Sequence, residues 1–383
     1  MNNSTTRSGK YITQATGYKS FIPNPLPPNP PLIMDEEMVY LLSEANLALG
    51  KLAGLTTIIV DPDLFVYLYV RKEALLSSQI EGTQCSLEDI LAPDAAVENP
   101  GHSFGVEEVS NYVKAMNQGL SRLNELPVCT RLIKEIHQVL MDGVRGQNKT
   151  PGEFRRSQNW IGRPGCSLMD AEFVPPPFEM VDELMGDVEK FIHDQDKVPP
   201  LVKAALIHAQ FETIHPFLDG NGRLGRLLIT YLLCYWQILD RPLLYLSYYF
   251  KSHLSEYYNR LMKVRHSGEW EQWILFFLRG VKVSAEVANK AAVEIHHLHQ
   301  QDKEKLMGSK ASKFEIQIFN EFCHNPVLTA KVLLNKYEDA NKPKIQRCFE
   351  HLIKLEIIKE VSGKIRNRKY IYGDYLSLLT KDT

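Results

Sequence analysis

The order of apolar and polar positions along the chain predicts a mainly helical fold. Residues 35–54 (DEEMVYLLSEANLALGKLAG) bring apolar side chains round every three or four positions, the period of one helix face. A second helix opens at Asp61–Pro62, an N-cap followed by proline at the first helical position, runs to about Glu81 and stops at Gly82. Ser86 and Asp89 have the spacing of a capping box, which starts a short helix ending near Pro93. Further helices are predicted at about 105–124, 130–143, 178–194, 200–214, 221–238, 249–266 and 269–300. The stretch RLLITYLLCYWQIL is apolar nearly all round, so its helix belongs in the core of a bundle.

Two regions break this pattern. Between PGEFRRSQNWIG and FVPPPFEM, glycine, proline and aromatic residues replace the helical period, which predicts a loop and β-hairpin at roughly 159–175. At the start, residues 1–20 read as flexible, and IPNPLPPNPPLIM as an extended proline-rich strap lying over a domain surface. The organisation that follows is a flexible, proline-rich segment (1–34), an N-terminal helical region (35–104), a central helical domain (105–300) and a separate small domain (311–383). In the last, FEIQIFNEFC, LTAKVLLNKY and PKIQRCFEHLIKLEII read as helices, and KEVSG and RKYIYG as strands, the order of a winged helix-turn-helix.

Composition narrows the function classes. A chain of 383 residues with 44% apolar and 23% charged content can bury a large core, and a net charge of −2 argues against a protein that coats nucleic acid or membrane along its length. No signal-peptide pattern or membrane-spanning apolar run is evident, so the expected location is cytoplasmic with no membrane partner. Six scattered cysteines without a CxxC pair suit reduced thiols. Positive charge gathers in 331–369, with eleven Lys/Arg against five Asp/Glu. Lys342, Lys344 and Arg347 start the expected recognition helix, and Lys364, Arg366 and Arg368 lie in the wing, an arrangement suited to DNA phosphates, although a solvated basic face has the same composition.

The candidate chemistry lies between two helices, in His215-Pro216-Phe217-Leu218-Asp219-Gly220-Asn221-Gly222-Arg223-Leu224-Gly225-Arg226. Glycines flanking an asparagine let successive backbone N–H groups turn inward at the positive end of a helix, which forms an anion nest. Arg223 and Arg226, three apart, share a helix face and can reach one polyphosphate. Asp219 is placed to hold a divalent ion, Mg²⁺ being the natural choice beside phosphates, and His215 can accept a hydroxyl proton. A histidine at a helix end or a glycine-rich turn is commonly structural when alone. Their combination within a dozen positions describes phosphoryl or nucleotidyl transfer.

HPFLDGNGRLGR resembles the Fic signature H-x-F-x-(D/E)-G-N-G-R-x-x-R at every specified position, and GEFRRSQNWIG, FVPPP and the helix pattern from 35 to 280 resemble a Fic-domain protein. The resemblance implies a Fic-type helical bundle with a β-hairpin flap, plus the winged helix, and an enzyme moving AMP from ATP to a Ser, Thr or Tyr hydroxyl of a target protein or of itself. It makes His215 the general base and Asp219 the Mg²⁺ ligand, and gives ATP Glu81, His215 and the segment Gly220, Asn221, Gly222, Arg223, Leu224, Gly225 and Arg226, with Arg226 on the γ-phosphate. It also assigns an adenine contact to Asn259, target pairing to the flap, and a homodimer to the chain. Ser77-Ser78-Gln79-Ile80-Glu81-Gly82 resembles the family's inhibitory pattern (S/T)-x-x-x-E-(G/N), which implies that Glu81, with Ser77 on the same face, contacts ATP-site residues and pairs with Arg226. The competing expectations are a DNA-binding regulator with a nucleotide-sensing Fic domain, AMP removal, or another phosphoryl-type transfer on the same scaffold.

Overall fold

In a computed structural model the chain is described at residues 5–55, 62–91, 100–163, 165–195, 197–363 and 368–381. Helices α1 (Glu36–Leu55), α2 (Pro62–Ile80), α3 (Leu87–Leu91), α4 (Pro100–Arg122) and α5 (Thr130–Leu140) follow the predicted order. α2 stops where expected, because Gly82 takes φ +90°, a conformation that costs other residues strain. The Ser86–Asp89 box is formed: Ser86 N–H donates to Asp89 at 2.8 Å and Asp89 N–H to the Ser86 hydroxyl at 3.2 Å. Asp61 and Pro93 lie outside the described residues.

The centre of the bundle is α7 (Pro200–Ile214), following α6 (Val181–His193). From Leu201 to Ile214 every residue of α7 is buried, because α6, α8 (Asn221–Tyr235), α10 (Leu254–Ser267) and α11 (Trp270–Gly308) all pack on it. Trp273 of α11 is fully buried and donates its indole N–H to the Ala205 carbonyl of α7 at 2.8 Å, so its polar handle is matched. The helix expected at 249–266 is two, α9 (Ser247–Ser252) and α10, interrupted at His253.

The N-terminal segment departs from expectation. Residues 5–23 are not flexible: β1 (Thr5–Thr6), β2 (Gly9–Thr13) and β3 (Lys19–Pro23) form an antiparallel sheet in that order, with Tyr11 opposite Phe21. The signal was present in GKYIT and KSFIP, short β-favouring runs separated by a turn at Gly17, whose φ is +94°. The proline-rich strap crosses the surface as predicted. It is pinned where Arg7 Nε donates to Pro30 C=O at 2.6 Å and Ile33 N–H to Glu271 at 3.0 Å. The expected hairpin at 159–175 is closed by one antiparallel bridge, Ile161 to Phe173, with hydrogen bonds of 2.8 and 3.0 Å.

After α11 come α12 (Lys313–His324), β4 (Val327–Thr329), α13 (Ala330–Lys336), α14 (Lys342–Lys354), β5 (Lys359–Glu360), β6 (Lys369–Ile371) and α15 (Gly373–Thr380). Strand order is β4-β6-β5; β4 and α15 were not foreseen. Tyr372 donates its hydroxyl to the buried Asp302 of α11 at 2.7 Å, which ties this unit to the bundle. Of its basic residues, Lys344 places its ammonium 4.0 Å above the Phe314 ring, and Lys364 and Arg366 lie outside the described residues.

Close packing of α4 on α8 provides a test of the bundle. Tyr231 of α8 donates to Ala115 C=O at 2.7 Å, and a Cβ on Gly119 would lie 2.3 Å from the Tyr231 ring. Gly119→Ala is therefore expected to lower unfolding free energy by about 1–3 kcal/mol through overpacking, despite alanine's better helix propensity. Denaturant titration checks this; an unchanged or raised midpoint would contradict the described contact.

Candidate functional site

His215 ends α7 in the left-handed region, with φ 50° and ψ 61°, and its N–H closes the helix onto Phe211 C=O. The chain must then turn sharply before α8 begins. Four side chains fix that turn by answering its backbone groups. Asn221 folds back on Phe217, accepting from its N–H at 2.9 Å and donating to its C=O at 2.8 Å. Asn159 donates to His215 C=O and Phe217 C=O at 3.1 and 2.9 Å. Arg155, 2% exposed, caps the end of α7: Nε donates to His215 C=O at 3.0 Å and Nη2 to Ile214 C=O at 3.3 Å and Pro176 C=O at 2.5 Å.

The fourth is His137 of α5. Gly152 N–H donates to its Nδ1 at 2.9 Å, so Nε2 carries the proton and donates to Asp219 C=O at 3.0 Å. Burial first, then the Arg223 charge, pushes its pKa down to about 4, against the Asp219 contacts, which keeps this tautomer neutral. Its ring stacks on Phe217 with centroids 3.7 Å apart. None of Arg155, Asn159 and His137 was identified as a site residue from sequence; for Arg155 and Asn159 the available signal was the GEFRRSQNWIG string, for His137 there was none.

The N-terminus of α8 is open to an anion. Its N-cap, Gly220 at φ 75°, supplies no capping side chain, so the first amides of the helix have no intrahelical acceptor. A Cβ on Gly220 would lie 2.6 Å from Met141 Sδ, and one on Gly222 2.1 Å from Glu81 Oε1. Arg223 is 1% exposed; Nη2 meets Met141 Sδ at 3.4 Å, while Nε and Nη1 are buried with no partner among the described residues. Such a guanidinium calls for an anion. The side-chain amide of Asn221 is already used within the loop, so only its backbone faces the nest. Leu224 is buried in the core, and Gly225 packs on α7, where a Cβ would meet Glu212 Oε1 at 2.4 Å.

Arg226, also buried, is held through Nε and Nη2. Nε donates to Ser77 Oγ at 2.9 Å, and Nη2 to Ser77 C=O at 2.9 Å and Glu81 Oε1 at 2.8 Å. The Glu81–Arg226 pair expected from the resemblance is thus present, and the Glu81 carboxylate lies directly over Gly222. Asp219 Oδ1 accepts from Gly220 N–H at 2.7 Å, and Lys149 approaches Oδ2 at 3.4 Å. No cluster of three or more His, Cys, Asp or Glu suited to a metal occurs among the described residues. A cation beside Asp219 would therefore complete its shell with substrate oxygens and water, the way Mg²⁺ binds, and the single carboxylate beside an unanswered guanidinium fits that arrangement.

His215 faces this nest with a side chain that is 20% exposed. Burial, then Arg265 and Arg155, hold its pKa below the ordinary value, so the ring is neutral and can accept a proton. The buried Glu212 carboxylate stands 3.8 Å from Nδ1, too far for a hydrogen bond. Asn259 is exposed on α10, and its side chain makes no hydrogen bond among the described residues. The neighbour that faces the site is Tyr258, whose phenol is pushed up to about 12 by burial and then by Glu81, against Arg226.

Glu212 gives a pH test. Burial, opposed by Arg226, raises its carboxyl from 4.5 to about 7. A raised folded-state pKa means the folded chain holds this proton more tightly, so the stability it contributes is present below pH 4.5 and lost as pH rises through about 7. Glu212→Gln should flatten the fall in melting temperature between about pH 5 and 8 relative to the parent. Identical slopes in scanning calorimetry would show that Glu212 does not titrate in this window.

Residues 39–121 match the family model described as Fic/DOC family N-terminal, and residues 127–233 the model described as Fic/DOC family. Among curated proteins, the chain is 26% identical over 171 residues to "Probable protein adenylyltransferase aq_aa38" of Aquifex aeolicus, covering 44% of this chain and 49% of that one. It is 29% identical over 163 residues to "Protein adenylyltransferase fic-1" of Caenorhabditis elegans, covering 39% and 29% of the two chains. The chain thus spans half or less of the length of these relatives. A Fic family protein from Desulfovibrio desulfuricans superposes with a TM-score of 0.57 over 89% of this chain and 97% of that one, at 20% identity. A Fic domain containing signaling protein from Bacteroides thetaiotaomicron gives a TM-score of 0.50 over 66% and 97%, at 18% identity. The motif loop, the helical bundle around it and both matched regions agree: this chain belongs to the Fic/DOC family.

Proposed function

We propose that the chain transfers AMP from ATP to a Ser, Thr or Tyr hydroxyl of a protein, another protein or a second copy of itself, and that Glu81 restrains the reaction. The observation that carries this reading is the buried Arg223 guanidinium, its Nε and Nη1 without a partner among the described residues, beside the uncapped start of α8, one turn of chain from neutral His215. ATP phosphates are the anion those groups fit. His215 takes the hydroxyl proton as the oxygen attacks the α-phosphorus; the new P–O bond forms as the bond to the β-phosphate breaks, and pyrophosphate leaves with its electron pair. The α8 amides and Arg223 stabilise the charge that develops on the phosphoryl oxygens. Asp219 would hold Mg²⁺, which when bound neutralises phosphate charge.

The restraint follows from charge. Arg226 is the second cation on the same helix face, and the resemblance assigns it the γ-phosphate. While Ser77 and Glu81 hold it, a third phosphate would meet a carboxylate where it needs a guanidinium. Relief of this pair would leave Arg226 free for ATP.

The test follows label from ATP·Mg²⁺ onto protein in the parent, Glu81→Gly and Glu81→Gly/His215→Ala chains. The expected result is strong labelling from α-labelled ATP in Glu81→Gly, little in the parent and none in the double variant, with EDTA abolishing the signal. Label arriving only from the γ position would replace AMP transfer by phosphorylation. An unchanged rate in Glu81→Gly would remove the restraint.

A second reading, contact with DNA through 331–369, is favoured by the excess of basic residues there and by the order of elements from α12 to β6, which suits a winged helix. Salt-dependent retardation of duplex DNA without ATP turnover would put this reading first.

A further inference from the structure

The N-terminal sheet lies outside both matched family regions, which begin at residue 39, yet it is joined to the flap. Phe21 N–H of β3 donates to Val174 C=O at 3.0 Å, so one main-chain hydrogen bond joins the sheet to the return arm of the flap. The Phe21 ring, 1% exposed, lies with its centroid 6.1 Å from that of Phe173 and 5.0 Å from that of Tyr11. On the far side, the Arg265 guanidinium stacks 4.0 Å from the Phe173 ring while donating to Glu212 C=O at 2.9 Å, three residues before His215. Tyr18 reaches Gln158 at 3.5 Å, at the root of the outgoing arm. The sheet is itself anchored to the bundle by the two hydrogen bonds of Arg7 to Glu271, at 3.1 and 2.9 Å, and by Tyr11 to His266 at 3.0 Å.

The arms of the flap share one backbone bridge, and at its root Gln158 donates across to Pro175 C=O at 3.1 Å. With Ile161 bonded inward to Phe173, the backbone groups of Trp160 and Gly162 point to the other side of the outgoing arm, where they make no hydrogen bond among the described residues. The two edges of the flap are therefore unlike: one is covered by β3, and the other is open beside the loop that carries His215, through Asn159.

We propose that the N-terminal sheet is an acceptor-positioning element. It closes the return edge of the flap and braces it, so that an extended segment of the protein acceptor pairs only along Trp160–Gly162, where its hydroxyl is delivered to His215. This rests on the proposed AMP transfer for its chemistry, but the brace itself does not. Phe21 would act through the flap without touching nucleotide, so its loss should weaken acceptor use and leave ATP binding alone.

The experiment uses the full chain with Glu81→Gly, alone or with Phe21→Ala or Phe21→Leu, and the His215→Ala chain as protein acceptor at varied concentration. Hydrogen exchange at the Ile161 and Phe173 amides should rise roughly tenfold or more in Phe21→Ala and return most of the way in Phe21→Leu, while α7 and α8 stay protected. The KM for acceptor should rise severalfold in Phe21→Ala, with the KM for ATP and the affinity for a fluorescent ATP analogue unchanged. Unchanged exchange at Ile161 and Phe173 in a Phe21→Ala chain whose β2 and β3 amides have opened would overturn the brace. An equal rise in the KM for ATP would overturn a role confined to the acceptor. If no variant transfers label, the AMP-transfer reading fails, and the exchange result still decides the brace.

Discussion

A guanidinium taken out of water must find negative charge or carbonyl oxygen, and the architecture of this protein follows from how its buried arginines meet that requirement. Arg155 and Arg265 meet it with the carbonyls at the end of α7. Arg226 meets it with Ser77 and Glu81, which ties the end of α2 to α8. Arg223 does not meet it among the described residues, and it stands at the start of α8, where Gly220 offers no capping side chain. Fold and site are in this sense one problem in electrostatics: three cations are used to build the cradle, and the fourth is left to its occupant.

The cradle is made mostly of amides and carbonyls held by neutral groups. His137 is kept neutral in one tautomer, and Asn159 and Asn221 are permanently uncharged, so they shape the loop without adding charge that would compete with a polyphosphate for its cations. The charged residues are arranged around them with opposite signs on separate elements, Arg223 and Arg226 on α8, Asp219 before it and Glu81 at the end of α2. Nucleotide geometry and restraint can then vary independently of the turn, which suits a fold whose catalytic contribution would come from orientation and preorganised charge.

What could be read in the sequence was what rests on local chemistry. Pro62, Gly82, the Ser86–Asp89 box and the all-apolar run after Arg226 each set an element boundary through a rule of a few residues, and the structure agrees at each described one. The motif string likewise carried its own logic. Reading failed where partners are distant. β2 and β3 are five residues each and settle on a flap some 150 positions away, so their polar surroundings in the sequence looked like disorder. Arg155 and His137 are ordinary helix-and-loop residues until the fold brings the motif carbonyls to them.

The position of Glu81 also sets how the proposed restraint would open. It follows the last residue of α2, where Glu81 N–H bonds to Ser78 C=O and Gly82 N–H to Gln79 C=O, tight three-residue turns instead of the helical ladder. Deeper in the same helix, Glu73 accepts from Ser247 N–H at 3.1 Å and from the Tyr112 hydroxyl at 3.3 Å, in the core. Fraying of one terminal turn would thus free the carboxylate while the rest of α2 stays docked, a sub-global opening with a free energy well below that of unfolding. A restraint of the proposed kind, built on a helix tip, would respond to small, local forces, and the bundle beneath it would not need to loosen.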